Sequence, residues 1–274
     1  SKLSVWFNNL KVLREIRKEK YDIAIGCGSY SPRLARYTFL TGAKTRIGYI
    51  KKGLEQSKFY NMPMSEPEKT LHEVENTYNL LSPLGINGVP SSLRAFPMDD
   101  EAEKIRNSLN MSGSKKETPL IAFHISSRRP ENRWPAEKFI ELGNLISNHS
   151  HAAILLLWSP GSEKNVYHPG DDEKAEIIKQ SIKPEPIVYK TTRLRELIAA
   201  LSLSSLVVCC DGGAMHIAAA LKKPVVTIWG STNPDKWAPW RTEHIILKNG
   251  RDASMVPVDD VFAAVNTLFK QREK

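Results

Sequence analysis

Asp211-Gly212-Gly213-Ala214-Met215-His216 follows directly on the apolar run LVVCC and opens a stretch of small residues, IAAAL. A strand that passes into a helix through two glycines can bring backbone N–H groups against an anion. The glycines remove Cβ obstruction, and the first helical turn leaves its N–H donors unpaired at the positive end of the peptide dipoles. Asp211 is placed to cap that helix or to accept from a sugar hydroxyl. His216, about one turn further in, can aim a ring nitrogen at the same mouth. The plainer alternative is an ordinary Asp-Gly turn with a capping Asp211 and a hydrogen-bonded core histidine, and the segment alone does not choose between the two. G-x-G-x-x-G is absent here and G-x-x-x-x-G-K-[ST] is absent throughout, which speaks against the dinucleotide and P-loop classes.

Two other strand ends point to the same chemistry. PVVTIW ends in Gly230, followed by Ser231 and Thr232 as hydroxyl donors and by a loop carrying Pro234, Trp237 and Trp240. The tryptophans are expected to pack that loop and shape its rim rather than to stack on a ligand. LIAFHI ends in Ser126 and Ser127, whose hydroxyls and N–H groups suit phosphate oxygens, and Arg128, Arg129 and Arg133 follow before a Trp-Pro helix start. Arg133, at the helix entrance, is the arginine expected to meet a phosphate; the alternative is a solvated basic loop.

These residues need a scaffold that gathers strand ends. YDIAIGCG, TRIGYI, LIAFHI, AAILLLW, PIVYK, LVVCC and PVVTIWG read as buried strands, with amphipathic stretches at 5–19, 71–82, 136–148, 172–182, 193–203 and 213–222. The alternation predicts parallel sheets flanked by helices, an α/β class. The polar stretch NMSGSKKETP, residues 110–119, reads as a linker and puts a domain boundary between residues 112 and 113. Residues 119–257 hold five strand signals with their helices, a complete doubly wound domain, whereas the first part reads as a fraction of one.

The composition narrows the partners. At 274 residues, with 41% hydrophobic and 25% charged residues, the chain can bury a substantial core. A formal charge of +9 favours an anionic partner, yet the charges are dispersed and no array of aromatic and basic residues suggests nucleic acid. The three cysteines, Cys27, Cys209 and Cys210, suggest neither a disulfide framework nor a zinc site and fit a reducing compartment. No apolar run is long enough for a membrane span and no secretory leader is evident. The opening, SKLSVWFNNLKVLREIRKEKYD, lacks an initiator Met and reads as a chain whose beginning is missing. No strongly apolar surface helix stands out, which favours a monomer.

The combination of S-S followed by N-R-W-P, then D-G-G-A-M-H-I-A-A-A-L and P-V-V-T-I-W-G-S-T-N-P, resembles the ADP-heptose lipopolysaccharide heptosyltransferases of glycosyltransferase family 9. EKYDIAIGCGSYSPRLARYTFLTGAKTRIGYIKK and HEVENTYNLLSPLGI resemble the N-terminal part of the same family, so the likeness covers nearly the whole chain. The resemblance implies a GT-B architecture of two Rossmann-like doubly wound domains. Residues 1–112 would form an acceptor-side domain lacking its first strand-helix units, and 113–274 a nucleotide-sugar-binding domain with a final helix. It implies inverting transfer of heptose from ADP-heptose to a lipid-linked lipopolysaccharide core acceptor, with neither a metal ion nor another cofactor. The setting would be the cytoplasmic face of the inner membrane, whose anionic surface the basic chain would touch.

By the same resemblance, Ser126 and Ser127 match hydroxyl residues near the donor phosphates and Thr192 a position beside the base. Asp211, Gly212, Gly213, Ala214 and His216 match the diphosphate and sugar contacts, and Asp172 or Glu173 an acidic residue holding the ribose. Two departures stand out. Family members often carry Lys where this chain has Asn132, with Arg133 next to it, and the Gly-Asp loop with the family's proposed catalytic carboxylate has no counterpart from Ser1 onward, so the base is expected upstream. The rival readings are a nucleotide-sugar-binding protein without transferase activity and another GT-B enzyme such as a nucleotide-sugar epimerase.

Overall fold

Apolar runs of four to six residues, each followed by a helical stretch, build two separate all-parallel sheets in a computed structural model that describes residues 2–51, 58–111, 118–165 and 169–270. The chain divides into two units, Ser1–Ser91 and Ser92–Lys274. The boundary expected between residues 112 and 113 lies outside the described residues. The helix before it, Asp99–Met111, belongs with the second unit because Ala102 and Ile105 enter that unit's core.

The first unit contains α1 (Lys2–Lys18), β1 (Ile23–Gly26), α2 (Pro32–Leu40), β2 (Thr45–Ile50), β3 (Met62–Ser65) and α3 (Glu73–Asn79), with strand order β1-β2-β3. Ser31 starts α2 by accepting from the Leu34 amide at 3.4 Å, with Pro32 in the first turn. Gly26 and Gly48 pair across β1 and β2, and the ring of Tyr60 lies over both. A Cβ at Gly48 would come within 2.2 Å of that ring, so the two glycines make room for a buried tyrosine.

The second unit contains α4 (Asp99–Met111), β4 (Leu120–His124), α5 (Ala136–His149), β5 (Ala153–Trp158), α6 (Asp172–Ser181), β6 (Ile187–Lys190), α7 (Leu194–Ser202), β7 (Leu206–Cys210), α8 (Gly213–Ala220), β8 (Val225–Trp229), α9 (Pro234–Trp237), β9 (His244–Lys248) and α10 (Val258–Lys270). Its sheet runs β6-β5-β4-β7-β8-β9, the doubly wound order in which the succession of strands reverses between the two central strands. Alternate strand residues serve opposite faces. Ile121 and Phe123 pack with α5, α6 and α10, while Leu120 and Ala122 pack with α4, α7 and α8. Cys209 and Cys210 obey the same alternation and enter different cores.

All seven apolar runs become strands, and β3 and β9 are additions to them. Among the described residues, no helix is long and apolar enough to cross a membrane.

Candidate functional site

Ligands of doubly wound sheets lie beyond the carboxyl ends of the strands where the order reverses, here between β4 and β7. The second unit carries a cleft of about 510 Å³ at that place. His124, Ser126, Ser127, Arg128, Arg129 and Asn132 line it from the β4 side, Asp211, Gly212, Gly213 and Ala214 from the β7 side, and Ser159, Pro160, Pro169, Leu194, Leu197 and Ile217 complete the wall. Of the residues expected from the sequence, Ser126, Ser127, Asp211, Gly212, Gly213 and Ala214 are thus brought together.

The β7–α8 corner exposes helical N–H groups to this cleft. Gly212, in extended backbone, is the N-cap and supplies no side-chain cap, and α8 begins at Gly213. A Cβ at Gly213 would meet nothing within 4 Å, and one at Gly212 only the Cys210 carbonyl at 3.9 Å. The protein's own packing therefore does not require glycine at position 213, whereas close approach of a ligand to the backbone would. Asp211 does not cap the helix. Its Oδ2 accepts from Asn132 Nδ2 at 2.9 Å, and the same amide donates to Thr232 Oγ1 at 3.0 Å. Asn132 so ties together the ends of three strands, β4, β7 and β8. Gly230 permits this contact, because a Cβ there would fall 1.9 Å from the Glu131 carbonyl oxygen. Ser231 is spent on the same turn, donating to Glu131 Oε1 at 3.0 Å.

The Ser126-Ser127 turn is held from beneath by charged groups. Ser126 Oγ accepts from the Ser159 amide at 2.9 Å, and Ser127 Oγ donates to the Asp211 carbonyl at 3.2 Å. Arg133 Nε donates to the Ser127 carbonyl at 2.8 Å, while its Nη2 and Nη1 pair with Asp171 at 3.2 Å and Glu163 at 2.6 Å. Its guanidinium is committed to the support of the turn rather than to the cleft wall. The arginines that line the cleft are the exposed Arg128 and Arg129. Asp171 is 1% exposed, and burial raises its pKa against the lowering influence of Lys174 and Arg133. Lys174 donates to the carbonyls of Ile125 at 3.2 Å and Trp134 at 2.7 Å, and burial lowers its pKa. Trp134, fully buried, fixes the start of α5 by donating to the Val256 carbonyl at 3.1 Å and packing edge-on against Phe139.

Three further expected residues stand back from the lining. Asp172 accepts from Trp158 Nε1 at 2.8 Å, Lys190 Nζ at 2.9 Å and the Gly161 amide at 3.1 Å, and these donors, Trp158 foremost, hold its pKa below the usual carboxylate range. Thr192 donates both N–H and hydroxyl to Glu196 Oε2 at 2.8 Å, next to Leu194 and Leu197 on the wall. Burial would raise the Glu196 pKa, but hydrogen bonds from Thr192 and Arg193 outweigh it and bring the value to about 2. His216 is half-buried with its ring 6.3 Å from that of Trp237, which itself packs on the core as expected of a rim residue. His124, in turn, counts in the sequence only as part of the apolar run LIAFHI; the one signal was a polar side chain near the end of a fully buried strand.

The site's chemistry is that of an anion cradle: unpaired helix-start amides, two hydroxyls, two arginines and an adjoining apolar wall. Among the described residues, no group of three His, Cys, Asp or Glu side chains gathers to hold a metal ion. The family model for glycosyltransferase family 9 (heptosyltransferase) matches residues 9–258. Lipopolysaccharide heptosyltransferase 3 of Escherichia coli K12 is 24% identical over 96% of this chain and 79% of its own length. Among solved structures, the family 9 glycosyltransferase of Veillonella parvula superposes with a TM-score of 0.82 at 22% identity, covering 97% of this chain and 80% of that one. The E. coli heptosyltransferase WaaC with ADP gives a TM-score of 0.71 at 18% identity over 97% of this chain and 78% of its own.

Proposed function

The chain belongs to glycosyltransferase family 9 and is a heptosyltransferase of GT-B fold class, and we propose that the cleft of its second unit seats the nucleotide-sugar donor, ADP-heptose. In this reading the diphosphate lies against Gly212 and Gly213 at the start of α8, with the hydroxyls of Ser126 and Ser127 and the guanidinium groups of Arg128 and Arg129 around it. Arg133 acts one layer below by fixing the Ser127 main chain. Thr192, through Glu196, sets the start of α7, whose Leu194 and Leu197 face the nucleoside, and Asp172 sets the ends of β5 and β6. His216 orders the rim with Trp237.

The observation that carries the proposal is the unfilled space over Gly213, at the mouth of a strand-to-helix turn, beside hydroxyl and arginine side chains. Attack of an acceptor hydroxyl on the anomeric carbon, from the side opposite the diphosphate, would form the new glycosidic bond with inversion while the bond to the diphosphate breaks and the hydroxyl's proton passes to a general base. The leaving group gains negative charge in that step. Helix-start amides and arginines stabilise such charge without a divalent ion. Asp211, the carboxylate on the wall, is engaged by Asn132, so the second unit supplies the donor half of the reaction.

Titration of the chain with ADP, ADP-heptose and UDP-sugars in the presence of EDTA tests this. Binding selective for the adenine nucleotides and indifferent to EDTA is expected. Absence of adenine-nucleotide binding, or a requirement for a divalent ion, would reject the donor assignment.

The acceptor is the lipopolysaccharide core, and the protein works at the cytoplasmic face of the membrane that holds it. The first unit supports a surface role, since α1 carries Lys11, Arg14, Arg17 and Lys18 and exposes Phe7 and Val12. Co-sedimentation with vesicles of anionic phospholipid, released by salt, is the expected result. Equal binding to neutral vesicles, unaffected by salt, would sink this part of the proposal.

A further inference from the structure

His124 ends β4, on one side of the point where strand order reverses, and is paired in register with Leu157 of β5 and Cys209 of β7. It lines the cleft, is 6% exposed, and its Nε2 has no hydrogen-bond partner. A buried polar atom left unpaired is costly, so its persistence in this cleft calls for a partner that arrives with the ligand.

The ring's chemistry defines that partner. Its existing hydrogen bonds are to the main chain of Ser126 and of His124 itself. Those contacts favour the charged form and so involve carbonyl acceptors; with Nε2 unpartnered, they fall to Nδ1, which carries the proton. Nε2 therefore presents a lone pair. Burial outweighs the main-chain contacts and lowers the pKa to about 4, so the ring is neutral at physiological pH. Phosphate oxygens are acceptors too and would meet that lone pair unfavourably. The matching group is a donor, either a hydroxyl or an amine.

Strand alternation places this group. Leu120 and Ala122 face α7 and α8, and His124 continues that series. On the cleft wall those helices contribute Leu194, Leu197 and Ile217, an apolar surface suited to a flat base and its ribose rather than to a diphosphate. We propose that His124 is a specificity-determining residue of the donor site, its Nε2 accepting a hydrogen bond from the nucleoside half of the nucleotide, through a ribose hydroxyl or the amino group of the base. The inference rests on the cleft being the ADP site.

Calorimetric titration of the wild-type chain and of His124→Phe with ADP, 2′-deoxy-ADP, 3′-deoxy-ADP and purine riboside diphosphate tests it. The phenylalanine keeps the ring and removes the acceptor. His124→Phe is expected to weaken ADP binding about tenfold, and one analogue is expected to bind the two proteins equally, which identifies the donor group. The free variant should melt no lower than wild type, because an unpaired polar atom has been removed. If wild type binds ADP and His124→Phe binds it as tightly, or if the variant loses the same factor on all four ligands, His124 is not the acceptor. If wild type binds no ADP, the donor reading fails and this inference fails with it. Should His124→Phe not fold, His124→Leu provides the same comparison.

Discussion

Gly213→Ala is expected to weaken ADP binding by at least about tenfold, ~1.4 kcal/mol, while the free protein melts at the same temperature as wild type or higher. The two effects have opposite signs for separate reasons. Gly213 is the first residue of α8 and a Cβ there meets nothing within 4 Å, so the methyl group causes no clash in the free protein. Exchanging glycine for alanine at an unstrained helical position favours folding by roughly 0.5–1 kcal/mol through the unfolded state. In the complex, the same methyl group occupies space through which phosphate oxygens must pass to reach the amides of the first turn. Calorimetry of binding together with scanning calorimetry of the free protein measures both effects. Unchanged affinity would mean that the diphosphate does not lie over this turn.

Asp171→Ala is expected to cost about 3–5 kcal/mol of folding stability and to weaken donor binding as well. Asp171 is buried and pairs with Arg133 at 3.2 Å, and Lys174 acts on it from close by. Removing the carboxylate leaves these cations short of a partner under the turn that carries Ser126 and Ser127. Arg133→Ala removes a cation from the same network and is expected to lower both stability and donor affinity. The double variant Asp171→Ala with Arg133→Met should then lose less than the sum of the two single losses, since neither charge is left unpaired by the other's removal. Denaturant midpoints for the three variants measure this. Additive losses would show that the two groups do not act as a pair.

Features carried by nearby residues were the most legible in the sequence. Each of the seven apolar runs forms a strand, and the Asp-Gly-Gly and Ser-Ser segments reach one cleft because both end strands beside the sheet's reversal. β3 escaped because MPMS offers alternating burial without β-branched residues, and β9 because HIILK is only partly buried at the sheet's edge. The helix from Asp99 to Met111 lay beside a polar stretch, and its relation to α7 depends on tertiary packing. The roles of single charged residues were least legible. Arg133 reads as a phosphate ligand from its place at a helix entrance, yet Glu163 and Asp171, 30 and 38 positions away, claim its guanidinium. Thr192 and Asp172 are likewise claimed by Glu196 and by Trp158 and Lys190. His124 was hidden for the opposite reason, because what distinguishes it is a partner it lacks.

The Asn132 bridge has a kinetic consequence. A neutral amide joins Asp211 and Thr232 at the junction of three strand ends, and the positive charge lining the cleft belongs to Arg128 and Arg129, both exposed. Charges open to solvent act over distance and are screened by salt, whereas donors on the main chain and neutral side chains act only at contact. On the proposed donor assignment, ionic strength governs the arrival of the nucleotide, and a neutral, salt-insensitive grip governs its residence time.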